Sequence, residues 1–392
     1  MQNFDFYTPT RMIFGRDTEK QVGTIVREYG YKKVLLHYGG GSIKKIGLYD
    51  ALTASLAENG VAFIELGGVE PNPKLSLVKT GAQLCKEEGI ELVLAVGGGS
   101  VMDSAKEIAI GALDDGGDQW DFSIKKREPK RALPVGVILT ISASGSEMSA
   151  SAVITNEEQQ LKRGYNSPLH RPLFAICNPA LTYSVSKFQT GCGIVDICMH
   201  TLERYFSVSP DTPLTDRLAL ALVRSTVEAG RAAIENPCDY DARATLMWAS
   251  SLSHNDLTGA GRETFAPCHQ IEHELSGMYD HVAHGAGLAV IFPAWAKYVY
   301  KAAPERFAQY AKDVFDVAYD GTNAEEAARE GIARTERYFQ EIGMPVRLHE
   351  LGVGTEGFGE MADKCTFFGG RTLPCHITLG KQEIVDIFEL CK

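Results

Sequence analysis

The chain of 392 residues lacks the features that mark membrane-spanning, secreted and nucleic-acid-binding proteins. No uncharged stretch approaches the roughly 20 residues that a bilayer-spanning helix needs. Residues 1–7 show no basic segment followed by an apolar one, so no signal peptide is expected. The 39 basic and 50 acidic residues leave a net charge of −11, which disfavours nucleic acids and anionic membranes as partners. We therefore expect a cytoplasmic protein that acts on small molecules.

Several common site motifs are also missing. The nine cysteines include no Cys-x-x-Cys pair, so neither a zinc ribbon nor a disulfide framework is predicted. The G-x-G-x-x-G fingerprint fails because Met102 occupies the third glycine position, and no G-x-x-x-x-G-K-[ST] segment exists. The H-E-x-x-H motif fails after His273-Glu274, and G-x-S-x-G is absent around Ser144. These absences argue against a P-loop nucleotidase and a nucleophile-elbow hydrolase.

The first 185 residues alternate short apolar runs with helical patterns. The runs that predict buried strands are 33–38, 61–66, 92–96 and 135–139. Strands that are apolar throughout and alternate with helices are typical of a parallel sheet covered on both faces. We therefore predict an N-terminal Rossmann-like α/β domain over residues 1–185.

The pattern changes in the second half of the chain. Long segments rich in Ala, Leu, Glu and Arg follow, such as 218–233 and 302–315. Helical periodicity dominates there, so residues 186–392 are predicted to form an all-helical domain. We expect a cleft between the two domains, which is a usual place for a small-molecule site.

Glycine-rich turns follow two of the predicted strands. At residues 97–100 a strand passes into a helix, where glycines let the backbone approach a phosphate and the helix N-terminus offers N–H groups. The turn at 39–42 ends a strand that has no carboxylate, and Lys44 and Lys45 follow. Because an acidic residue there selects NAD through the ribose 2′-hydroxyl, the lysines favour NADP(H) over NAD(H). A ligand-free tight turn and a solvated lysine pair are the alternatives.

A cluster of histidines and one carboxylate indicates a metal site. Four of the ten histidines lie between His269 and His284, and His269 and His273 share one helical face. Asp196 and His200 have the same spacing within an apolar segment, and a buried carboxylate and imidazole need partners. Three imidazoles and one carboxylate suit zinc or iron(II). We predict one divalent metal, although each histidine taken singly also fits a structural role.

With these motifs the chain resembles the iron-containing (group III) alcohol dehydrogenase family, and within it the NADPH-dependent butanol dehydrogenase branch. The matching motifs follow the family order over most of the chain: 38–45, 71–73, 97–103, 144–147, 196–200 and 269–276. The resemblance implies a dehydroquinate synthase-like fold, with the α/β domain followed by a helical metal-binding domain.

The resemblance also implies site residues. The implied metal ligands are Asp196, His200, His269 and His284. The implied dinucleotide contacts are Gly39, Ser42, Asn72, Gly97, Gly98, Gly99, Ser100, Asp103, Thr140, Ser142, Lys162 and Leu181. His273 is implied to lie beside the nicotinamide and to assist proton transfer. The stretch from His269 to His284 is one residue longer than is usual in the family, which leaves open whether His281 competes, although the glycines at 285 and 287 favour His284 as the matching ligand.

The implied activity is metal-dependent hydride transfer between NADP(H) and short-chain aliphatic alcohols or aldehydes, in a homodimer. A polyol dehydrogenase and a metal-dependent lyase on the same fold remain alternatives. A non-catalytic nucleotide-binding protein is a third.

Overall fold

A computed structural model describes residues 1–208 and 211–392, which divide into two compact units. One unit is Tyr7–Val185, and the other combines Ser186–Lys392 with Met1–Phe6. The Gln2 N–H donates to the Gly261 carbonyl at 2.8 Å. The first six residues therefore pack with the helical part of the chain, which the sequence pattern did not predict.

The unit Tyr7–Val185 contains a six-stranded sheet and a two-stranded hairpin. The strands are β1 (Arg11–Phe14), β2 (Lys33–Tyr38), β3 (Ala62–Leu66), β4 (Leu92–Gly97), β5 (Val135–Leu139), β6 (Ser151–Asn156), β7 (Leu161–Asn166) and β8 (Phe174–Cys177). The sheet is parallel throughout, in the order β1-β8-β5-β4-β2-β3, and β6 pairs antiparallel with β7. This parallel sheet confirms the predicted N-terminal fold class.

Helices cover both faces of the sheet. They are α1 (Val22–Glu28), α2 (Ser42–Lys45), α3 (Leu48–Glu58), α4 (Leu75–Glu88), α5 (Gly99–Ala112) and α6 (Trp120–Ser123). Successive strand residues face opposite sides. Val34 and Leu36 of β2 share a core cluster with α1 and α3, whereas His37 Nε2 lies 2.9 Å from the Oγ of Ser104 on α5. Burial on both sides explains why the central strands are apolar throughout.

Four of the eight strands carry weak sequence signals and were not predicted. β1 is a short edge strand with only half-buried residues at its centre. β8 is fully buried, but four apolar residues are too few to distinguish a strand from a helix by periodicity. The β6–β7 hairpin turns through residues 157–160, which contain none of the usual Asn-Gly or Asp-Gly turn pairs.

The chain leaves β2 and β4 in opposite directions across the sheet. From β2 it continues through α3 to β3, whereas from β4 it continues through α5 to β5 on the other side. Parallel pairing sets Tyr38 beside Val96 and Gly97 beside Leu139. Open α/β sheets bind ligands in the crevice outside the carboxyl ends of the strands at such a reversal. The predicted glycine-rich turns both lie there.

The other unit is helical. Its helices are α7 (Lys187–Tyr205), α8 (Pro213–Glu235), α9 (Tyr240–Ser253), α10 (Pro267–Met278), α11 (His284–Val299), α12 (Pro304–Phe315), α13 (Ala324–Glu341), α14 (Phe358–Cys365) and α15 (Lys381–Leu390). One hydrophobic core joins them, and α7 and α11 are buried along most of their length. Within the ranges described, none of the helices is long and apolar enough to cross a membrane.

Candidate metal centre and cofactor site

Helix α7 carries the first two predicted metal ligands through the core of the helical unit. It begins after Ser186, whose Oγ accepts the Gln189 N–H at 3.2 Å. Asp196 and His200 are both buried and lie one turn apart, as their spacing predicts. A carboxylate and an imidazole are therefore held where water does not solvate them freely.

The other two predicted ligands are brought to α7 by the ends of two helices. His269 lies in the first turn of α10, and His284 is the first residue of α11. A Cβ on Gly285 would lie only 2.2 Å from the Cys192 carbonyl oxygen. Glycine at 285 therefore lets α11 begin directly against the α7 backbone, one turn before Asp196. This close approach carries His284 to the carboxylate.

Three imidazole nitrogens converge on the Asp196 Oδ1 atom. His200 Nδ1 lies 3.1 Å away, His269 Nε2 3.5 Å and His284 Nε2 3.8 Å. His200 Nδ1 is also 3.1 Å from the main-chain carbonyl of Asp196, and when it donates its N–H there, Nε2 is the nitrogen left to bind a metal. A tetrahedral site with bonds of about 2.1 Å separates its ligand atoms by roughly 3.4 Å. Asp196, His200 and His269 offer ligand atoms that all lie within 4.8 Å of one another, whereas His284 approaches Asp196 but is grouped with Glu272 and His273. Asp196 Oδ1 and His269 Nε2 are buried and have no hydrogen-bond partner in the described parts of the chain. Both atoms are placed to bind an ion.

The charges of this cluster shift the pKa values of its members. Burial lowers the pKa of His200 to about 4. Burial also opposes protonation of His269, but the carboxylates of Glu203 and Asp196 outweigh it and raise the pKa of His269 to about 10. Burial alone would raise the pKa of Asp196, yet His200 and His269 hold it well below its usual range. Since His269 must lose a proton to bind a metal, metal binding is coupled to proton release.

The two remaining histidines of the segment lie outside this group. The His273 ring is partly exposed and lies 5.5 Å from the His284 ring, centroid to centroid. His281 is exposed, and its Nε2–H donates to the Leu351 carbonyl at 3.0 Å. No group of potential metal ligands in the described residues includes His281. The longer segment between α10 and α11 therefore adds no competing ligand in this structure.

The two glycine-rich turns lie side by side at the carboxyl edge of the parallel sheet. The turn that contains Gly39 and Ser42 follows β2, and the turn at residues 97–100 follows β4. Helix α5 begins at Gly99, and among the described residues no side chain caps its N-terminus. Its first N–H groups are therefore available to an anion such as a pyrophosphate.

Packing explains why this turn needs glycine. A Cβ on Gly98 would lie 2.2 Å from Ile141 Cγ2, and a Cβ on Gly99 would lie 2.6 Å from Ser144 Oγ. The segment after β5 thus packs directly onto the turn. It brings Thr140 and Ser142 to the same edge of the sheet, and the buried Ser142 Oγ has no hydrogen-bond partner within the described ranges. That hydroxyl is free to contact a ligand.

The remaining predicted dinucleotide residues are more dispersed. Leu181 follows β8 at the same carboxyl edge. Asn72 precedes α4, and Lys162 lies on β7. The two are linked through Thr155, which pairs with Lys162 across the hairpin and donates its N–H to the Pro73 carbonyl at 2.8 Å. These two residues therefore belong to the hairpin side of the unit.

Asp103 has a structural role in this unit. Its Oδ1 accepts a hydrogen bond from Ser146 Oγ at 2.7 Å, and its Oδ2 accepts the Val153 N–H at 3.0 Å. Burial raises the pKa of this carboxyl, although nearby Lys106 acts in the opposite direction. The side chain links α5 to the segments after β5, so it helps to fix the position of the helix that follows the glycine-rich turn.

Comparison with known proteins identifies the family. The family described as "Iron-containing alcohol dehydrogenase" matches residues 9–179, and "Fe-containing alcohol dehydrogenase family, C-terminal" matches residues 190–390. The chain belongs to the iron-containing alcohol dehydrogenase family. It is thus an alcohol dehydrogenase or aldehyde reductase, and the family implies a divalent metal and a nicotinamide cofactor.

Individual relatives of this dehydrogenase match nearly its whole length. It is 41% identical over 390 residues to NADH-dependent butanol dehydrogenase A of Clostridium acetobutylicum, with 99% of each chain covered. It is 34% identical over 355 residues to the NADPH-dependent aldehyde reductase YqhD of Escherichia coli, with 90% of each covered. The crystal structure of NADH-dependent butanol dehydrogenase A from Thermotoga maritima has a TM-score of 0.95 at 40% identity, covering 100% of this chain and 99% of that one.

Two buried glutamates of the dehydrogenase, not predicted from the sequence, hold histidine rings in place. Glu203 hydrogen-bonds to His269 Nδ1, and Glu272 hydrogen-bonds to His284 Nδ1. Each ring then turns its Nε2 toward Asp196. Imidazoles that bind metals commonly donate their other N–H to a carboxylate, which fixes the tautomer and the ring orientation. Glu272, His273 and His284 also form a possible ligand group, but Glu272 already engages His284.

Glu203 has a second role as the cap of α10. Its Oε1 accepts the N–H groups of Cys268 and His269 at 2.5 and 3.2 Å. A signal for this residue exists in the sequence, since Glu203 follows Asp196 by two helical turns and therefore shares its face. His254 was also missed. Its ring stacks 4.0 Å from the His200 ring, and it stands alone in the sequence directly after α9.

Proposed function

We propose that this protein interconverts short-chain aliphatic aldehydes and primary alcohols, with one divalent metal and a nicotinamide dinucleotide. The observation that carries the proposal is the convergence of three imidazole nitrogens within 3.8 Å of the Asp196 Oδ1 atom. Butanol and aldehyde enter from the names of relatives that match almost the whole chain.

The proposed metal ligands are Asp196, His200, His269 and His284, and they suit iron(II) or zinc. When bound, the cation supplies Lewis acidity to the substrate oxygen and the dinucleotide exchanges a hydride with the adjacent carbon. Glu203 and Glu272 hold the rings of His269 and His284 with Nε2 toward Asp196. Aldehyde reduction consumes one hydride and one proton, and we propose His273 as the residue that delivers the proton.

The proposed dinucleotide site is the carboxyl edge of the sheet, within a cofactor-binding domain of residues 1–185. Its contacts are Gly39, Ser42, Asn72, Gly97, Gly98, Gly99, Ser100, Thr140, Ser142, Lys162 and Leu181, with Asp103 as support. The N-terminus of α5 and the Ser142 hydroxyl favour binding of a polar, anionic ligand at this edge. Residues 186–392 form the proposed metal-binding and substrate domain.

Three further properties are proposed with this function. The preference for NADP(H) rests on Ser42, Lys44 and Lys45, whereas the relatives include enzymes named NADH-dependent and NADPH-dependent. A cytoplasmic location is proposed because all nine cysteines are free thiols, as is usual in a reducing compartment. A homodimer is proposed from the family resemblance, and a sizing column with light scattering measures it.

The test combines metal analysis with turnover. The purified protein should contain about one iron or zinc ion per chain, and it should oxidise NADH or NADPH when butanal is added. Removal of the metal with a chelator should abolish turnover, and one equivalent of iron(II) or zinc should restore it. Activity that survives complete removal of the metal would contradict the proposed mechanism.

A further inference from the structure

A carboxylate lies beside the lysines that follow β2, although β2 itself ends without one. Glu65, near the end of the neighbouring strand β3, accepts hydrogen bonds from the hydroxyls of Tyr38 and Tyr49 at 2.7 and 2.5 Å. Lys44 Nζ lies 3.6 Å from Glu65 Oε2 and 4.5 Å from the centre of the Tyr49 ring. We call Tyr38, Lys44, Tyr49 and Glu65 the Glu65 cluster.

The fold builds this cluster next to the turn at Gly39. A Cβ on Gly67 would lie 2.8 Å from the Tyr38 ring, so glycine there leaves room for the tyrosine. The Gly68 N–H donates to the Gly39 carbonyl at 2.9 Å, which ties the end of β3 to the turn after β2. The side chains of Lys44 and Glu65 are 50% and 37% exposed, so a ligand at the sheet edge can reach both.

The negative charge of Glu65 and the positive charge of Lys44 act differently on NAD(H) and NADP(H). A carboxylate can accept a hydrogen bond from a ribose 2′-hydroxyl, but it repels a 2′-phosphate. Lysine attracts the phosphate, yet the charge of Lys44 is already balanced by Glu65. Hydrogen bonds from Tyr49 and Tyr38 lower the pKa of Glu65, so this carboxylate stays ionised at neutral pH.

We propose that Glu65 discriminates against the 2′-phosphate and lowers the affinity of this chain for NADP(H) relative to NAD(H). The proposal rests on the proposed function, because it requires the adenosine ribose to bind at the Gly39 turn. It adds a specificity-determining residue that acts against Lys44 and Lys45. Loss of one negative charge roughly 6 Å from a doubly charged phosphate, in a largely aqueous setting, corresponds to a change in affinity on the order of tenfold.

The test compares binding constants in Glu65→Gln, which removes the charge and keeps the shape. NADH and NADPH are titrated against the metal-loaded protein by fluorescence, and 5′-ADP and 2′,5′-ADP are titrated by calorimetry. We expect the ratio of the NADPH to the NADH dissociation constant to fall by about tenfold, with a parallel gain for 2′,5′-ADP. Binding of 5′-ADP should change much less, since it carries no 2′-phosphate.

Glu88→Gln is the matched control. Glu88 pairs with Lys33 at 2.9 Å and is similarly exposed, but Lys33 begins β2, at the opposite edge of the sheet. The same charge is removed far from the Gly39 turn, so the NADPH to NADH ratio should not change. A control that shifts the ratio as much as Glu65→Gln would overturn the proposal, because only the net charge would then matter.

The two levels of the proposal fail in different ways. An unchanged ratio in folded Glu65→Gln, with both dinucleotides still bound, overturns the role of Glu65 and leaves the dehydrogenase function intact. Failure of the unaltered protein to bind either dinucleotide overturns the proposed function itself. If Glu65→Gln does not fold, Glu65→Ala decides by the same measurement: the ratio should again fall, and an unchanged ratio in the folded variant would contradict the proposal.

Discussion

The two units of this protein form their candidate sites from different kinds of groups, namely backbone groups in the sheet unit and side chains in the helical unit. In the sheet unit the dinucleotide edge consists mainly of backbone, namely the turns at Gly39 and Gly97 and the uncapped start of α5. In the helical unit the metal centre consists of buried ionisable side chains, with Asp196 surrounded by imidazoles and two supporting glutamates.

This contrast predicts different kinds of sensitivity. The backbone site depends on close packing, because Ile141 and Ser144 leave no room for side chains at the turn. The side-chain site depends on charge and hydrogen bonding, since each buried carboxylate has a partner whose loss leaves it uncompensated. Substitutions chosen for one kind of sensitivity should therefore spare the other unit.

The largest effect should come from Asp196→Ala. We expect the metal content to fall well below one ion per chain and kcat/KM to fall roughly a thousandfold, because Lewis acid catalysis is worth several kcal/mol. Elemental analysis and turnover with butanal measure both. NADH binding to the sheet unit should persist. His281→Ala, which removes an exposed histidine of the same segment, should retain metal and activity, and loss of metal there would contradict the assigned ligand set.

A smaller effect concerns the buried His37 of the sheet unit, whose pKa burial lowers to about 4. Because the pKa in the folded protein lies below the ordinary histidine pKa of about 6.5, the unfolded chain binds more protons between these two pH values. The free energy of unfolding should therefore decrease as the pH falls from about 6.5 to 4, by about 3 kcal/mol in total.

Urea unfolding across this pH range measures the His37 effect. His37→Gln should reduce the pH dependence, whereas the exposed His281→Gln should leave it unchanged. A pH dependence that His37→Gln does not alter would show that groups other than His37 dominate.

A loss of about 10- to 100-fold in metal affinity is expected for Glu203→Gln and Glu272→Gln, since supporting carboxylates usually contribute this much. Chelator competition measures the metal dissociation constants, and the absorption spectrum of the cobalt(II) form reports the ligand geometry. Glu203→Gln should also destabilise α10, because its Oε1 caps two N–H groups there. Unchanged metal affinity in both variants would refute the supporting role of these residues.

The smallest effect should come from Gly98→Ala. The added methyl group meets Ile141 at 2.2 Å, and overpacking of this kind costs about 1–3 kcal/mol of stability. Dinucleotide binding should weaken with it, while the metal content stays the same. Gly359→Ala in α14 is the control, since nothing lies within 4 Å of the Cβ it adds and it belongs to the helical unit. Equal effects of the two substitutions on NADH affinity would refute the steric explanation.

Much of the fold and of the candidate site could be predicted from local patterns. The central strands are apolar on both faces, so β2, β4 and β5 stand out in the sequence. The i, i+4 spacing of Asp196 and His200 survives in α7 because both face the same side of one helix. Edge strand β1 and the β6–β7 hairpin carry no such pattern, because they are short or lack turn residues.

What could not be predicted depends on contacts between distant segments. The hydrogen bonds of Glu203 and Glu272 to histidine rings form only when α7, α10 and α11 pack together, so the sequence of each helix alone does not reveal them. Glu65 lies on β3, so the absence of a carboxylate at the end of β2 says little about the charge beside the Gly39 turn. A prediction of cofactor preference from the end of β2 alone does not include the charge on the neighbouring strand β3.

The order of the proposed metal ligands along the chain has a consequence for how the enzyme acquires its metal. Asp196 and His200 are local neighbours, but His269 and His284 follow only after α8 and α9, so their approach requires closure of long loops. An unfolded chain therefore offers the ion only an incomplete chelate. For the proposed ligand set we therefore expect metal insertion to follow folding. His284, at 26% exposure, is the most accessible of the four proposed side chains, so we expect the ion to enter from its side.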